Sequence, residues 1–188
     1  GAQTCAVTEI TADMASDLRM NRLLQGDVGA GKTLVAFMAL LAAVEAGGQG
    51  VLMAPTEILA RQHLAGLQPL AETAGVVLEI LTGRDKGAER QAKLAALERG
   101  DIQILVGTHA VFQKDVEFKD LGLIIIDEEH DHSFKQQEGL RYSARDLAIV
   151  RAKQLDIPVV LGTATPTLEV LQHCRNGNYE LARDRLLL

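Results

Sequence analysis

The sequence contains no tryptophan, and aromatic residues make up only 3 % of it. So few rings exclude a broad platform on which successive nucleic-acid bases stack. Basic charge is also short: 19 Lys and Arg stand against 25 Asp and Glu, for a net charge of −6. That excludes a general cationic coat for nucleic acid, though not a local basic groove. The two cysteines, Cys5 and Cys174, have no second Cys or His at ligand spacing. They therefore form no zinc site of a recognised pattern and read as core thiols of a reducing compartment. No apolar run is long enough to span a bilayer. The opening Gly1-Ala2-Gln3-Thr4 lacks the basic and apolar regions of a secretory signal. Starting on Gly rather than Met, the chain is expected to be an excised piece of something larger. An Asn-Lys-x-Asp guanine motif is missing too, which disfavours a GTPase.

What is present is concentrated at Leu23 to Thr33. An apolar strand ending leads into Gly26-Asp27-Val28-Gly29-Ala30-Gly31-Lys32-Thr33, a Gly-x-x-x-x-Gly-Lys-Thr pattern. Glycines at 26, 29 and 31 let backbone N–H groups curl inward around an anion, and the helix that follows adds its positive end. Lys32 is placed to reach the β- and γ-phosphates of a nucleotide, and the Thr33 hydroxyl to hold Mg²⁺.

Hydrophobic periodicity organises the rest. Residues 3–16 read as an amphipathic helix, 22–25 as a strand, and 32 to about 46 as an apolar helix buried on most sides. A strand at 50–54 leads through Pro55-Thr56 into a helix whose inner stripe is expected at Ile58, Leu59, His63, Leu64 and Leu67, with Pro69 ending or kinking it. Strands at 76–81 and 102–106 flank a helix from 85 to about 99, with Leu94 and Leu97 inward and Gly100 closing it. A fully apolar strand at 123–126 runs into Asp127-Glu128-Glu129-His130. After an irregular stretch at 131–142, Ser143 caps a helix through 155. A strand at 158–161, a helix through about 173 and an edge strand at 179–182 complete the chain. Unbroken apolar strands alternating with helices predict one α/β domain, a mostly parallel sheet covered on both faces. In such folds ligands bind beyond the carboxyl ends of the strands.

The chemistry-bearing clusters all follow strands. Asp127 can hold Mg²⁺ beside Thr33, and Glu128 can orient or deprotonate the water that attacks the γ-phosphate. His130 either senses the γ-phosphate or is a turn residue. Thr163-Ala164-Thr165 offers small hydroxyls that either link the nucleotide site to a second ligand or cap a helix. The turns Ala54-Pro55-Thr56, Thr82-Gly83 and Gly107-Thr108-His109 carry backbone N–H and hydroxyl groups suited to phosphodiesters, which need no base reading.

Taken together and in this order, these clusters resemble the first motor domain of superfamily 2 helicases over essentially the whole chain. Residues 26–33 match motif I, 54–57 motif Ia, 107–109 motif Ib, 127–130 motif II in its DExH form, and 163–165 motif III. Residues 1 to about 120 are similar to the RecG family of branched-DNA translocases, through Leu24 to Thr33, Met53 to Ala60 and Val106 to Ala110. From about residue 123 the chain is similar to the PriA family of replication-restart helicases, through Asp127 to Asp131, Phe134 to Gly139, Arg141-Tyr142, Ala144 to Asp146 and Ala164 to Pro166. Such a division implies either a RecG–PriA chimera or a relative lying between the two.

The resemblance implies a RecA-like P-loop fold that binds ATP with Mg²⁺ and couples its hydrolysis to DNA movement in the bacterial cytoplasm, in replication restart, recombination or repair. Lys32, Asp127 and Glu128 are then catalytic. Gln3, residues 26–33 and His130 line the nucleotide, with Gln3 matching an adenine-recognising glutamine. Pro55, Thr56, Gly83, Thr108 and His109 contact DNA. Phe134 and Tyr142 stack on bases and Lys135 and Arg141 contact phosphates in a PriA-like loop, although Leu140 and Ser143 depart from that family's residues. Thr163 and Thr165 couple the two sites. A second motor domain, with the arginine finger it supplies, is expected to be absent from residues 1–188, as is a zinc-binding part. An engineered scaffold of this fold with no selected activity is the competing expectation.

Overall fold

Short apolar runs and amphipathic helices alternate along the chain, and the runs pair side by side into one sheet. The computed structural model describes residues 2–15, 21–25, 31–127, 144–163, 168–176 and 180–183. In chain order the elements are α1 (Ala2–Met14), β1 (Asn21–Gln25), α2 (Lys32–Glu45), β2 (Gln49–Met53), α3 (Glu57–Ala74), β3 (Leu78–Leu81), α4 (Gly87–Arg99) and β4 (Ile104–Gly107). A 3₁₀ turn (His109–Phe112), β5 (Leu121–Ile126), α5 (Ala144–Leu155), β6 (Val159–Thr163), α6 (Leu168–Arg175) and β7 (Glu180–Arg183) follow. The strand order is β3-β4-β2-β5-β6-β1-β7, and every pair is parallel.

A parallel sheet must be covered on both faces, and adjacent strand residues divide between two cores. Leu24, Leu52, Ile125 and Val160 pack with Ala6 and Ile10 of α1, Val35, Ala36 and Leu40 of α2, and Leu67 and Ala71 of α3. Their neighbours Leu23, Val51, Ile124 and Leu161 pack on the other face with Leu94 and Leu97 of α4, Val111, and Ala148 and Ala152 of α5. Each fully buried Leu or Ile adds roughly 1.5–3 kcal/mol.

At the amino end of β2, buried Gln49 joins three segments. Its Nε2 donates to the carbonyls of Leu97 (2.9 Å) and Ile102 (2.7 Å), and its Oε1 accepts from the Asp120 amide (3.0 Å).

Several expectations are corrected. Of the two outcomes expected at Pro69, an end or a kink, the end does not occur: α3 continues to Ala74 and closes at Gly75 in the left-handed conformation (φ 70°). Burial of Leu67 and Ala71 on the sheet spans the proline and offsets the amide hydrogen bond it removes. Ile58 is not on the inner stripe but 73 % exposed; the expected Leu67 is buried there with Ala60 and Ala71, and the expected Leu59 and Leu64 pack partly buried against the core. The helix expected from residue 85 starts at Gly87, because the Asp85 carboxylate is spent on the preceding turn, accepting from the Thr82 amide at 2.7 Å. The turn His109–Phe112 was not anticipated. Residues 131–143 lie outside the described ones.

Candidate functional site

Parallel register carries the strand ends into one row. Leu81 pairs with Gly107, Gly107 with Met53, Met53 with Ile126 and Ile126 with Leu161, while Gln25 pairs with Thr163. The residues that follow, Thr82, Thr108, Ala54 and Asp127, therefore line the carboxyl edge in that spatial order, with Thr163 and Gln25, the last residues of β6 and β1, next along it. Chain order is thus sorted into two halves. On one side β5, β6 and β1 bring Asp127, Thr163 and Gln25 together. On the other, β2, β4 and β3 gather the turns at 54–57, 107–109 and 82–84.

In the first half, Gly31 precedes α2 as its N-cap, with a φ of 79° that favours glycine. The Gly31 carbonyl accepts from the amides of Leu34 (3.0 Å) and Val35 (3.1 Å). Among the described residues no side chain caps this helix, and no acidic residue sits in its first turn. By contrast, Thr56 caps α3 by accepting from the Leu59 amide at 3.3 Å, and Glu57 occupies that first turn. Among the described residues the N-terminus of α2 thus carries no acidic side chain, while that of α3 holds Glu57, and a helix N-terminus favours an anion. Lys32 and Thr33 are the first two residues of α2, and Lys32 is buried.

Asp127 is held at three points. Its amide donates to the Met53 carbonyl at 2.9 Å. Its Oδ2 accepts from Nε2 of His63, on α3, at 2.8 Å. Its Oδ1 faces Gly162 so closely that a Cβ there would come within 3.3 Å. A carboxylate and the Thr33 hydroxyl are hard oxygen donors, the set that suits Mg²⁺. Thr163 is fully buried on β6, between β1 and β5.

In the second half, Pro55 is buried and Thr56 half-buried. Glu57 pairs with Arg61 (2.8 Å) and with Arg84 (3.0 Å), which ties the turn after β2 to the turn after β3. Thr108 is buried, whereas Gly83, Arg84 and His109 are exposed. Beneath the 82–85 turn, Lys93 donates to Asp85 Oδ1 at 2.7 Å and to the Ile80 carbonyl at 3.1 Å. Burial pushes the Asp85 carboxyl up, but the Lys93 ammonium and the Thr82 amide and hydroxyl outweigh it and hold its pKa below the ordinary value. Burial pushes Lys93 down, and Asp85, Glu79 and Glu89 outweigh that to raise it.

Of the other expected site residues, Gln3 lies in α1. Gly26, Asp27, Val28, Gly29, Ala30, Glu128, His130, Phe134, Lys135, Arg141, Tyr142 and Thr165 lie outside the described residues. His63 and Arg84 were not foreseen as site residues. The available signal for His63 was a lone histidine on an apolar stripe, which needs a buried partner. Among the described residues, no group of three or more His, Cys, Asp or Glu could hold a metal, and no helix is long and apolar enough to cross a membrane. Cys174 is a free, half-buried thiol whose pKa burial raises.

The family described as DEAD/DEAH box helicase matches residues 2–173. ATP-dependent DNA helicase RecG of Bacillus subtilis (strain 168) is 50 % identical over 160 residues, covering 85 % of this chain and 24 % of that protein. RecG of Streptococcus pneumoniae serotype 4 is 44 % identical over 181 residues, covering 96 % of this chain and 25 % of that protein. This chain therefore spans about a quarter of the length of these relatives, and its likeness to RecG does not stop near residue 120. A solved structure of RecG bound to a three-way DNA junction superposes with a TM-score of 0.77 at 35 % identity, covering 99 % of this chain and 24 % of that one. A DEAD box protein from Methanococcus jannaschii superposes at 0.71 and 19 % identity, covering 98 % of this chain and 49 % of that one, which speaks for the fold alone.

Proposed function

The chain belongs to the DEAD/DEAH box helicase family, and from that premise we propose that it is the RecA-like, ATP-binding motor domain of a DNA helicase or translocase of the RecG type. The observation that carries this is the division of one sheet edge into a half that holds Asp127 and Thr163 and a half of turns linked by the Glu57–Arg84 ion pair. The amides of residues 26–31 cradle the phosphates, Lys32 neutralises them, and Gln3 selects adenine. Thr33 and Asp127 hold Mg²⁺, which when bound offsets charge on the β- and γ-phosphates. Glu128 orients the attacking water, and His130 senses the γ-phosphate. Pro55, Thr56, Gly83, Thr108 and His109 grip one DNA strand through backbone and small polar groups. Thr163, on the strand between β1 and β5, and Thr165 relay nucleotide state.

The sequence of the segment at 134–142 supports a PriA-like contribution. Phe134 and Tyr142 stack on single-stranded bases while Lys135 and Arg141 meet phosphates. This reading makes the chain a RecG-like body with a PriA-like loop, by fusion or descent. In the intact bacterial enzyme a second motor domain closes on the edge and completes the ATP site, coupling hydrolysis to DNA movement in replication, recombination or repair. By itself this chain binds Mg-ATP weakly and unwinds DNA little or not at all.

Photo-crosslinking tests the division. An azido-ATP analogue is expected to label peptides from the ends of β1 and β5, and a thiothymidine oligonucleotide those from the ends of β2, β4 and β3. Both probes labelling the same peptides contradicts the reading. Labelling by neither favours an inactive scaffold.

A further inference from the structure

Asp127 can serve a metal only if its carboxylate points one way, since a carboxylate at a strand end has two side-chain torsions to lose. Its backbone is anchored at Met53. Its side chain meets the imidazole of His63 at 2.8 Å, and the two side chains are only 16 % and 11 % exposed. A carboxylate can only accept, so Nε2 of His63 carries the proton, and the neutral imidazole suffices. His63 lies on α3, which is pinned to the sheet by buried Ala60, Leu67 and Ala71. The donor therefore has a fixed position. The bond occupies Oδ2 and leaves Oδ1 on the side of Gly162, toward β6.

We propose that His63 is a positioning residue for the metal site. It fixes the Asp127 carboxylate so that Oδ1 is presented to the Mg²⁺ that Thr33 shares. This inference rests on the nucleotide reading above and deepens it. Partners that orient a ligating group commonly matter to metal affinity by 10–100-fold. A histidine acting only as a tie between α3 and β5 would change stability without changing the response to metal.

The test uses the whole 188-residue chain and a fluorescent ADP analogue, titrated with MgCl₂ and also bound in EDTA. His63→Ala is expected to need about tenfold more Mg²⁺ for its half-maximal effect. Its affinity for the analogue in EDTA is expected to stay within about twofold of the parent, because Lys32 and the glycine-rich loop are untouched. His63→Gln, whose side-chain amide also donates, is expected to recover most of the Mg²⁺ response, and it serves as the folded control. An unchanged Mg²⁺ midpoint in His63→Ala overturns the proposal. So does an equal loss with and without metal, or a His63→Gln variant that folds like the parent and responds like His63→Ala. A parent chain that binds the analogue under neither condition removes the nucleotide reading itself, and that outcome is visible before any variant is compared.

Discussion

Gly162 lies against the carboxylate of Asp127: a Cβ at 162 would sit 3.3 Å from Oδ1 and 3.5 Å from the Ile126 carbonyl. A methyl group there must push the carboxylate, which His63 holds from the other side. Gly162→Ala is therefore expected to raise the Mg²⁺ needed for nucleotide binding several-fold, at a folding cost of about 1 kcal/mol. Nucleotide titrations at varied Mg²⁺, with urea melts alongside, check both. An unaltered Mg²⁺ dependence contradicts the packing argument.

Gly107 is a harder constraint. An added Cβ would come 2.1 Å from the Leu81 carbonyl oxygen and 2.5 Å from Val111 Cγ1. The first neighbour is backbone of the paired strand, so β3 and β4 must separate for the methyl to fit. Gly107→Ala is expected to cost at least about 2–3 kcal/mol, read as a lower urea midpoint. A midpoint equal to that of the parent contradicts the register.

The Asp85–Lys93 pair gives a pH signature. The Asp85 pKa is lowered from the ordinary 3.8, so its stabilisation is present above that value and lost as pH falls through the lowered one. The Lys93 pKa is raised from the ordinary 10.5, so its stabilisation is complete below that value and lost as pH rises through the raised one. Lys93→Met is expected to destabilise by roughly 1 kcal/mol near neutrality and by less at strongly acidic pH, where Asp85 is protonated in both chains. Urea melts at the two pH values check this; an equal penalty at both contradicts it.

Most of the fold was legible because buried parallel strands are written as unbroken apolar runs. Leu123-Ile124-Ile125-Ile126 and Val159-Val160-Leu161 are strands because they feed two cores at once. The boundaries were less legible where side chains spend hydrogen bonds locally, as Asp85 does on the Thr82 turn. Pro69 does not end α3 because its local cost is outweighed by tertiary burial of Leu67 and Ala71. The motif residues could be named from spacing, but His63 could not. Its partner is 64 positions away, and only the register of β2 against β5 brings α3 over Asp127. Nor could spacing tell that Thr108 is buried while His109 is exposed.

The central claim is that this edge binds a nucleotide through the amino end of α2. A thermal melt with and without Mg-ATP, run beside Lys32→Ala, tests it most directly. At about ten times the Kd, mass action predicts a rise of roughly 3–6 °C in the parent and little or none in Lys32→Ala. A sharp parent melt that millimolar Mg-ATP does not move, or a shift that Lys32→Ala retains in full, contradicts the account.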